Sequence, residues 1–349
     1  MKIKKNPLSL QLDTSDFLPA TEEEKKELVV MRESTTYWKD AFRRLRQNKI
    51  AMTALIVVIL IMICAFIVPH FYPYSYDQQI RGSEDLFPMQ YSDSEMQAIA
   101  KGTSVFPHFF GTDSFGRDLA ARTMVGARIS LLVGIIATAL VLIIGSIYGA
   151  ISGYFGGKVD MVMMRIVDMI YSIPDMLIII LLQVSLKEPL TALFNSNPAF
   201  ANLQSLGVGL ISIFITFSLL YWVNMARIVR GEIMALKEQE FVMSAKALGA
   251  SDRKIILRHL LPNCIGVLIV TATLQIPSAI FTEATLSFLG LGVSVPMASL
   301  GSLASDALEG IYSYSYRLIV PAVVISLIIL SFNLLGDGLR DAFDPKMKK

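Results

Sequence analysis

Apolar residues along this chain come in long uninterrupted runs, not at the two-residue period of a half-buried strand. Five runs, 51–69, 129–157, 206–226, 260–282 and 318–336, contain no Asp, Glu, Lys or Arg. A hydrocarbon core about 30 Å thick takes roughly 20 such residues in a helix. A sixth stretch, about Met164 to Leu186, is long enough but carries Asp168 and Asp175. The pattern predicts an all-α integral membrane protein with six transmembrane helices, over about 50–69, 129–153, 164–186, 206–226, 260–282 and 318–337. Polar segments divide them. Residues 1–49 form a tail ending in an interfacial helix from Trp38 to Lys49, with Trp38, Phe42 and Leu45 on one side and cations on the other. Residues 70–128 form a long loop, 129–338 a compact core interrupted by a polar connection over 227–259, and 339–349 a short tail.

Composition agrees with the pattern. Of 349 residues, 54% are hydrophobic and 17% charged, which argues against a soluble domain. Most of the basic residues fall in 1–49, between the second and third spans, in 227–258 and after 338. The positive-inside rule then predicts that both termini and the 227–259 connection are cytoplasmic, with 70–128 outside. The first apolar run is too long for the core of a cleaved signal peptide. Net charge is +2, and the cluster Arg43, Arg44, Arg46 and Lys49 reads as an anchor for the first span, not a nucleic-acid patch. Cys64 and Cys264 lie within or beside spans, so no disulfide framework is expected. His70, His108 and His259 are far apart, and no metal site is expected.

The stretch SAKALGASDRKIILRHLLPN (244–263) stands out between two apolar runs. Glu240 to Leu248 consists of helix formers, with Phe241, Ala245 and Leu248 on one face. Gly249 stands where a left-handed residue ends a helix most easily, and Ser251 and Asp252 suit the start of a second one. Arg253, Lys254 and Arg258 follow, and Pro262 marks the base of the fifth span. Two short helices at an angle result. Taken alone they read first as an ordinary intracellular loop, with a contact surface as the alternative.

The segment resembles the EAA loop of ABC-importer permeases: Ala245, Gly249, His259, Leu261 and Pro262 fall in register, while Met243 and Ser244 depart from the family's Glu and Ala. Three further segments resemble permeases of the peptide-type (OppC/DppC) group: FGTDSFGRDLAARTMVGARISLLVG (110–134), EATLSFLGLGV (283–293) and NLLGDGLRDAFDP (333–345). Ala121 and Leu300 depart from the residues common there. The resemblance covers about residues 38–345. It implies a type I ABC importer permease fold, and a non-catalytic subunit forming the pathway for di- or oligopeptides or related solutes. The implied partners are a second, related permease, two cytosolic ATPases, an extracytoplasmic solute-binding protein and the bilayer of a bacterial plasma membrane, with ATP and magnesium on the ATPases and no cofactor on this chain. The first helix of the loop would be the coupling helix. That role passes to Phe241, Ser244, Ala245, Leu248 and Gly249, supported by Arg253, Arg258 and His259, the last equally well read as a locally satisfied imidazole.

The residues themselves offer no local energy source. The nearest approach to a phosphate-binding loop, Gly156-Gly157-Lys158, has Ser152 in place of the first glycine and Val159 in place of Ser or Thr. Acidic residues at membrane depth should face the bundle or a water-filled path. Glu283 either binds or gates solute near the outer mouth or makes a structural pair. Asp168 reads as structural, with Arg165 as one partner, and Asp175 as a candidate along the pathway. A different class remains open: a secondary carrier coupled to an ion through Asp168, Asp175 or Glu283. Such a carrier has no need of the helix-glycine-helix. In GTDSFGRD, Asp113, Arg117 and Asp118 suit a turn-rich clasp fixing the approach to the second span.

Overall fold

The computed structural model describes residues 37–196, 207–293 and 297–343. Among these, helices α1 (Tyr37–Gln47), α2 (Lys49–Phe66), α3 (Asp93–Ala100), α4 (Leu119–Phe155), α5 (Gly157–Tyr171), α6 (Asp175–Ser196), α7 (Val208–Leu220) and α8 (Trp222–Leu236) follow in order. After them come α9 (Glu240–Ala247), α10 (Asp252–Ile255), α11 (Ile265–Phe288), α12 (Leu300–Asp306) and α13 (Tyr316–Phe343). No strand occurs among the described residues; Thr112 and Asp118 make an isolated antiparallel bridge. Among the described residues, six helical stretches are long and apolar enough to cross a membrane: Lys49–His70, Leu119–Phe155, Asp175–Ser196, Val208–Leu236, Asp252–Phe288 and Tyr316–Phe343. The polar residues before Tyr37 and those after Phe343 lie outside the described residues.

Several spans depart from the limits read in the sequence, each for a visible reason. The second begins at Leu119, not near 129, because its cations have partners. Arg122 bonds Asp113 at 2.5 Å and Asp306 at 3.3 Å, and Arg128 donates to the Ala65 carbonyl. The third is not 164–186. The chain breaks at Ser172 to Pro174, where a proline without an N–H disfavours helix in the residue before it. The helix long and apolar enough to cross is α6, while α5 carries Lys158, Asp160, Arg165 and Asp168 as a separate helix. The fourth runs on to Leu236, since Arg227 and Arg230 are paired with Asp168 and Asp160. The polar connection therefore starts near Lys237, not at 227. The last helix continues through Phe343, well past 337.

The helix α4, about 55 Å long at 1.5 Å per residue, is the central strut. Its N-terminus carries the 70–118 insert and its C-terminus meets the polar connection. Gly145, Gly149 and Gly153 line one stripe of it against α8. A Cβ at Gly149 would lie 2.4 Å from the Ala226 carbonyl oxygen, so the two backbones touch where side chains would stand. Small residues at every fourth position allow such an approach in a membrane, where close packing replaces the hydrophobic drive. Around this pair is a core of Val141, Ala150, Val167, Met225, Val229 and Ile233. The helices α2, α11 and α13 close the other side of α4 through Val58, Leu131, Ile280, Ile328 and Phe332.

At the end opposite the insert, α1 lies against the end of α13. Leu45 packs with Ala51 and Ala342, and the Trp38 and Phe343 rings meet edge to face at 5.7 Å. The first and last described residues therefore share one end of the bundle with the polar connection. Trp38 and Phe42 are exposed, while Leu45, two turns on from Trp38, is buried against α13.

Candidate functional site

The helix α9 begins at Gln239, whose side chain makes no cap, with Glu240 favourable in the first turn. It ends in a Schellman motif. The Ala250 N–H donates to the Ala245 carbonyl at 3.1 Å and the Gly249 N–H to Lys246 at 3.0 Å, with Gly249 at φ 79°. The chain then turns into α10, which begins after Ser251. Ser251 holds the cap position without a side-chain bond; Asp252 instead accepts from the Tyr154 hydroxyl at 2.6 Å, tying the turn to the end of α4.

Below α10 the helix widens. Residues Ile256–Leu260 form a π turn and Leu261–Cys264 a 3₁₀ turn before α11 begins. Pro262, lacking an N–H, accounts for the change of pitch here. The bend in the fifth span thus lies at its base, while α11 continues unbroken through Pro277. This irregular joint aims Ile255, Ile256, Leu260 and Cys264 into the α4–α8 core, where Val242 of α9 joins them.

Buried on that side, α9 presents the rest outward. Phe241 is 40% exposed, Met243 56% and Leu248 88%. Ser244 is exposed and Ala245 half-buried beside them. Arg253 and Arg258 are exposed and His259 half-buried. Among the described residues no ion pair engages either arginine. The carbonyl of His259 accepts from the Asn263 amide at 2.6 Å, and among the described residues its ring makes no hydrogen bond. All eight residues of the sequence-read set therefore lie on one short segment: a small apolar patch beside cations, on a rigid base. Such a surface can seat in a groove of a partner and pass on rigid-body motion.

The base has polar anchors that sequence reasoning missed. Asp160 accepts from Ser152 at 2.6 Å and from Arg230 through two nitrogens. The bonds from Arg230 hold its carboxyl below the usual carboxylate range, against its partial burial. Lys237 donates to the Gly153 carbonyl at 3.0 Å, capping α4. The Gly156–Gly157 corner is this cap: Lys237 Nζ stands 3.3 Å from where a Gly156 Cβ would lie. The corner is already filled by a side chain and does not form a phosphate cradle. The stripe Gly145, Gly149 and Gly153 was the available signal for the base; Val242 had none beyond its place in α9.

The acidic candidates are not brought together. Glu283 is 0% exposed. Its carboxylate accepts from Ser130 at 2.8 Å and from Ser287 at 2.6 Å, joining α4 to α11. It thus reaches no open path in this structure, in contrast to the outer-mouth reading. Asp175 is exposed at the start of α6 and accepts from the Met176 N–H. Asp168 pairs with Arg227 at 2.8 Å, not with Arg165, and Arg227 also stacks on Tyr171.

At the other end, the GTDSFGRD clasp forms around Asp113. It accepts from the Phe115 and Arg117 N–H groups and from the Arg117 and Arg122 side chains. Its two glycines have a steric cause: at Gly111 a Cβ would lie 2.2 Å from the Leu86 oxygen, and at Gly116 2.3 Å from that of Ile80. Asp118 caps α4 through the Ala121 N–H and also holds His108, fully buried, at 2.7 Å. Glu95 holds the other ring nitrogen at 3.1 Å. From 230 residues further on, the Tyr316 hydroxyl donates to the Leu86 carbonyl at 2.7 Å, and Arg317, next to it, pairs with Asp85.

Sequence comparison adds to this geometry. Residues 145–349 match the family model of the binding-protein-dependent transport system inner membrane component. Residues 36–88 match the N-terminal TM domain of oligopeptide transport permease C. The chain is 42% identical over 320 residues to the oligopeptide transport system permease protein OppC of Bacillus subtilis (strain 168), covering 92% of this chain and 93% of that one. It is 41% identical over 321 residues to the dipeptide transport system permease protein DppC of the same organism, covering 92% and 89%. Among solved structures, inward facing conformations of the MetNI methionine ABC transporter (CY5 SeMet soak crystal form) align with a TM-score of 0.47 at 19% identity, over 62% of this chain and 94% of that chain.

Proposed function

The chain belongs to the family of binding-protein-dependent transport system inner membrane components, and from that premise we propose that it conducts di- or oligopeptides, or related small solutes, into a bacterial cell. It is a multi-pass membrane subunit of a translocation pathway and not an enzyme. The peptide class is supported by the names of its relatives, permeases of oligopeptide and dipeptide systems. In this reading a second, related permease completes the pathway and an extracytoplasmic binding protein delivers the solute. Two ATPases dock on the cytosolic side and bind the ATP and magnesium. The polar connection and both described chain ends face the cytosol, as the distribution of basic residues favours.

The observation that carries the proposal is the build of residues 240–262. An exposed face with Phe241 and Leu248, on the same side as Ala245, is held on the α4–α8 core by Val242, Ile255 and Ile256. Force applied to the patch reaches the long helices without a flexible link. Replacing Phe241 and Leu248 together by Asp leaves that core untouched and removes the patch. The subunit, expressed with its neighbouring genes and purified by its own tag, is expected to bring down a second permease and one or two ATPases. The double variant is expected to keep the permease and lose the ATPases. Retention of the ATPases by the variant would show that docking lies elsewhere, and a chain that purifies alone and moves solute on an ion gradient would make it a secondary carrier.

A further inference from the structure

Arg128 lies in the third turn of α4, within a span. Its Nε donates to the Ala65 carbonyl at 2.9 Å, near the end of α2, and its guanidinium carbon stands 5.9 Å from the Phe66 ring centroid. A guanidinium has five donors. Among the described residues, no carboxylate accepts from its two terminal nitrogens. A cation at membrane depth is costly unless it is paired or meets a water-filled space, and Arg128 lines a cavity. This cavity, of about 320 Å³, is bounded also by His70, Tyr72, Tyr74, Tyr76 and Met297, with no acidic residue in its wall. The other buried or half-buried arginines at this end of the bundle are neutralised, Arg117 and Arg122 by Asp113 and Arg317 by Asp85, while Arg81 is exposed. Arg128 is set apart by having a cavity where they have a carboxylate.

We propose that this cavity is a subsite for the free carboxylate of a small organic solute, with Arg128 as its bidentate partner. A planar carboxylate matches the two terminal nitrogens of a guanidinium. The tyrosine walls suit the organic portion next to that group better than a bare inorganic ion, and the volume sits near the lower end of small-molecule sites, roughly 300–1,000 Å³. The inference rests on the reading of the chain as a peptide importer subunit, because a peptide carries such a carboxylate at its C-terminal end. The cavity has room for that end of the solute, so discrimination at this site concerns the terminal group and not peptide length.

The test uses the whole importer assembly in nanodiscs, with trialanine and its C-terminal amide as probes in equilibrium dialysis. The wild-type assembly is expected to bind the free acid about ten-fold more tightly than the amide, a difference of about 1.4 kcal/mol. Arg128→Gln is expected to bring that ratio close to one by weakening only the acid, and Arg128→Lys to restore part of it. Recovery of the partner subunits with each variant shows that the bond to Ala65 was not needed for assembly. Equal binding of the two probes by the wild type, or an unchanged ratio in Arg128→Gln, overturns the subsite. So does a variant whose sole change is loss of co-purifying phospholipid, since the cation then serves a headgroup phosphate. Uptake into proteoliposomes separates the two levels. Uptake of trialanine without a binding ratio leaves the importer reading and removes this site, whereas a ratio without ATP-driven uptake keeps the site and removes the importer reading.

Discussion

Gly249 holds φ at 79°, yet no atom lies within 4 Å of where its Cβ would stand. The need for glycine there is therefore conformational, unlike that at Gly111 and Gly116, where backbone oxygens fill the space. A β-branched side chain in the left-handed region is strained by roughly 1–2 kcal/mol; Asn tolerates it better. Because the strain falls at the turn between α9 and the joint to α11, Gly249→Val is expected to tilt the patch without unfolding the core. In proteoliposomes of the full assembly, solute moved per ATP hydrolysed should drop several-fold for Gly249→Val and stay near wild type for Gly249→Asn. Unchanged coupling in the valine variant would remove the turn from the mechanism. This residue was legible in the sequence because its cause is local: a run of helix formers, a glycine, then a cap. Glu283 was not, because the hydroxyl of Ser130 that satisfies it comes from 153 residues away, and sequence alone left binding and structure equally open.

Single residues of this kind act through elements, and the governing contact is that of α4 with α8. The spacing of Gly145, Gly149 and Gly153 is visible in the sequence; which helix they face is not. The structure assigns α8, with Ala226, Val229 and Arg230 around Gly149. Even a methyl group there meets a carbonyl oxygen at 2.4 Å, so Gly149→Leu forces the helices apart. Overpacking of a close core typically costs about 1–3 kcal/mol. The displaced α8 carries Ile233 and Arg230, on which the seat of α9 depends. A lower thermal midpoint of the purified assembly, together with loss of bound ATPases, is the expected outcome. A variant with the wild-type midpoint would mean that the two helices do not approach so closely. Hydrophobic length misplaced the third span for a related reason. A run of apolar residues does not reveal that Ser172 to Pro174 ends one helix and starts another, nor that Asp168 is paired across to α8 and need not lie in a crossing segment.

At the scale of the whole molecule, the same rule explains which end of the bundle could be read in advance. At the 237–264 end the turn itself is local and was legible down to its capping glycine, whereas the bonds that seat it, Tyr154 to Asp252 and Lys237 to Gly153, join distant residues and were not. The 70–118 end is held by partners far apart: Tyr316 and Arg317 of the last helix reach Leu86 and Asp85, and Arg122 reaches Asp306. Its centre is His108, with a carboxylate on each ring nitrogen and the Tyr74 ring stacked at 4.5 Å. Both nitrogens can donate only in the imidazolium form. Burial opposes that charge, but the bonds and charges of Asp118 and Glu95 outweigh it and raise the histidine above its ordinary value of 6.5. A raised value in the folded protein means that the charged form stabilises the clasp. The contribution is complete below about pH 6.5 and is lost as pH rises through the raised value, when one of the two bonds must break. Hydrogen bonds to charged groups contribute about 1.5–3 kcal/mol each, enough to loosen a small insert without melting the bundle. Hydrogen exchange of residues 83–118 in nanodisc-embedded protein should therefore quicken between pH 6 and pH 9 by more than the intrinsic chemical rate, while exchange in α4 and α8 follows that rate alone. His108→Gln, neutral at every pH, should exchange fast throughout and lose the excess pH dependence. An insert whose protection in the wild type does not change with pH would mean that the charged form of His108 does not hold the clasp.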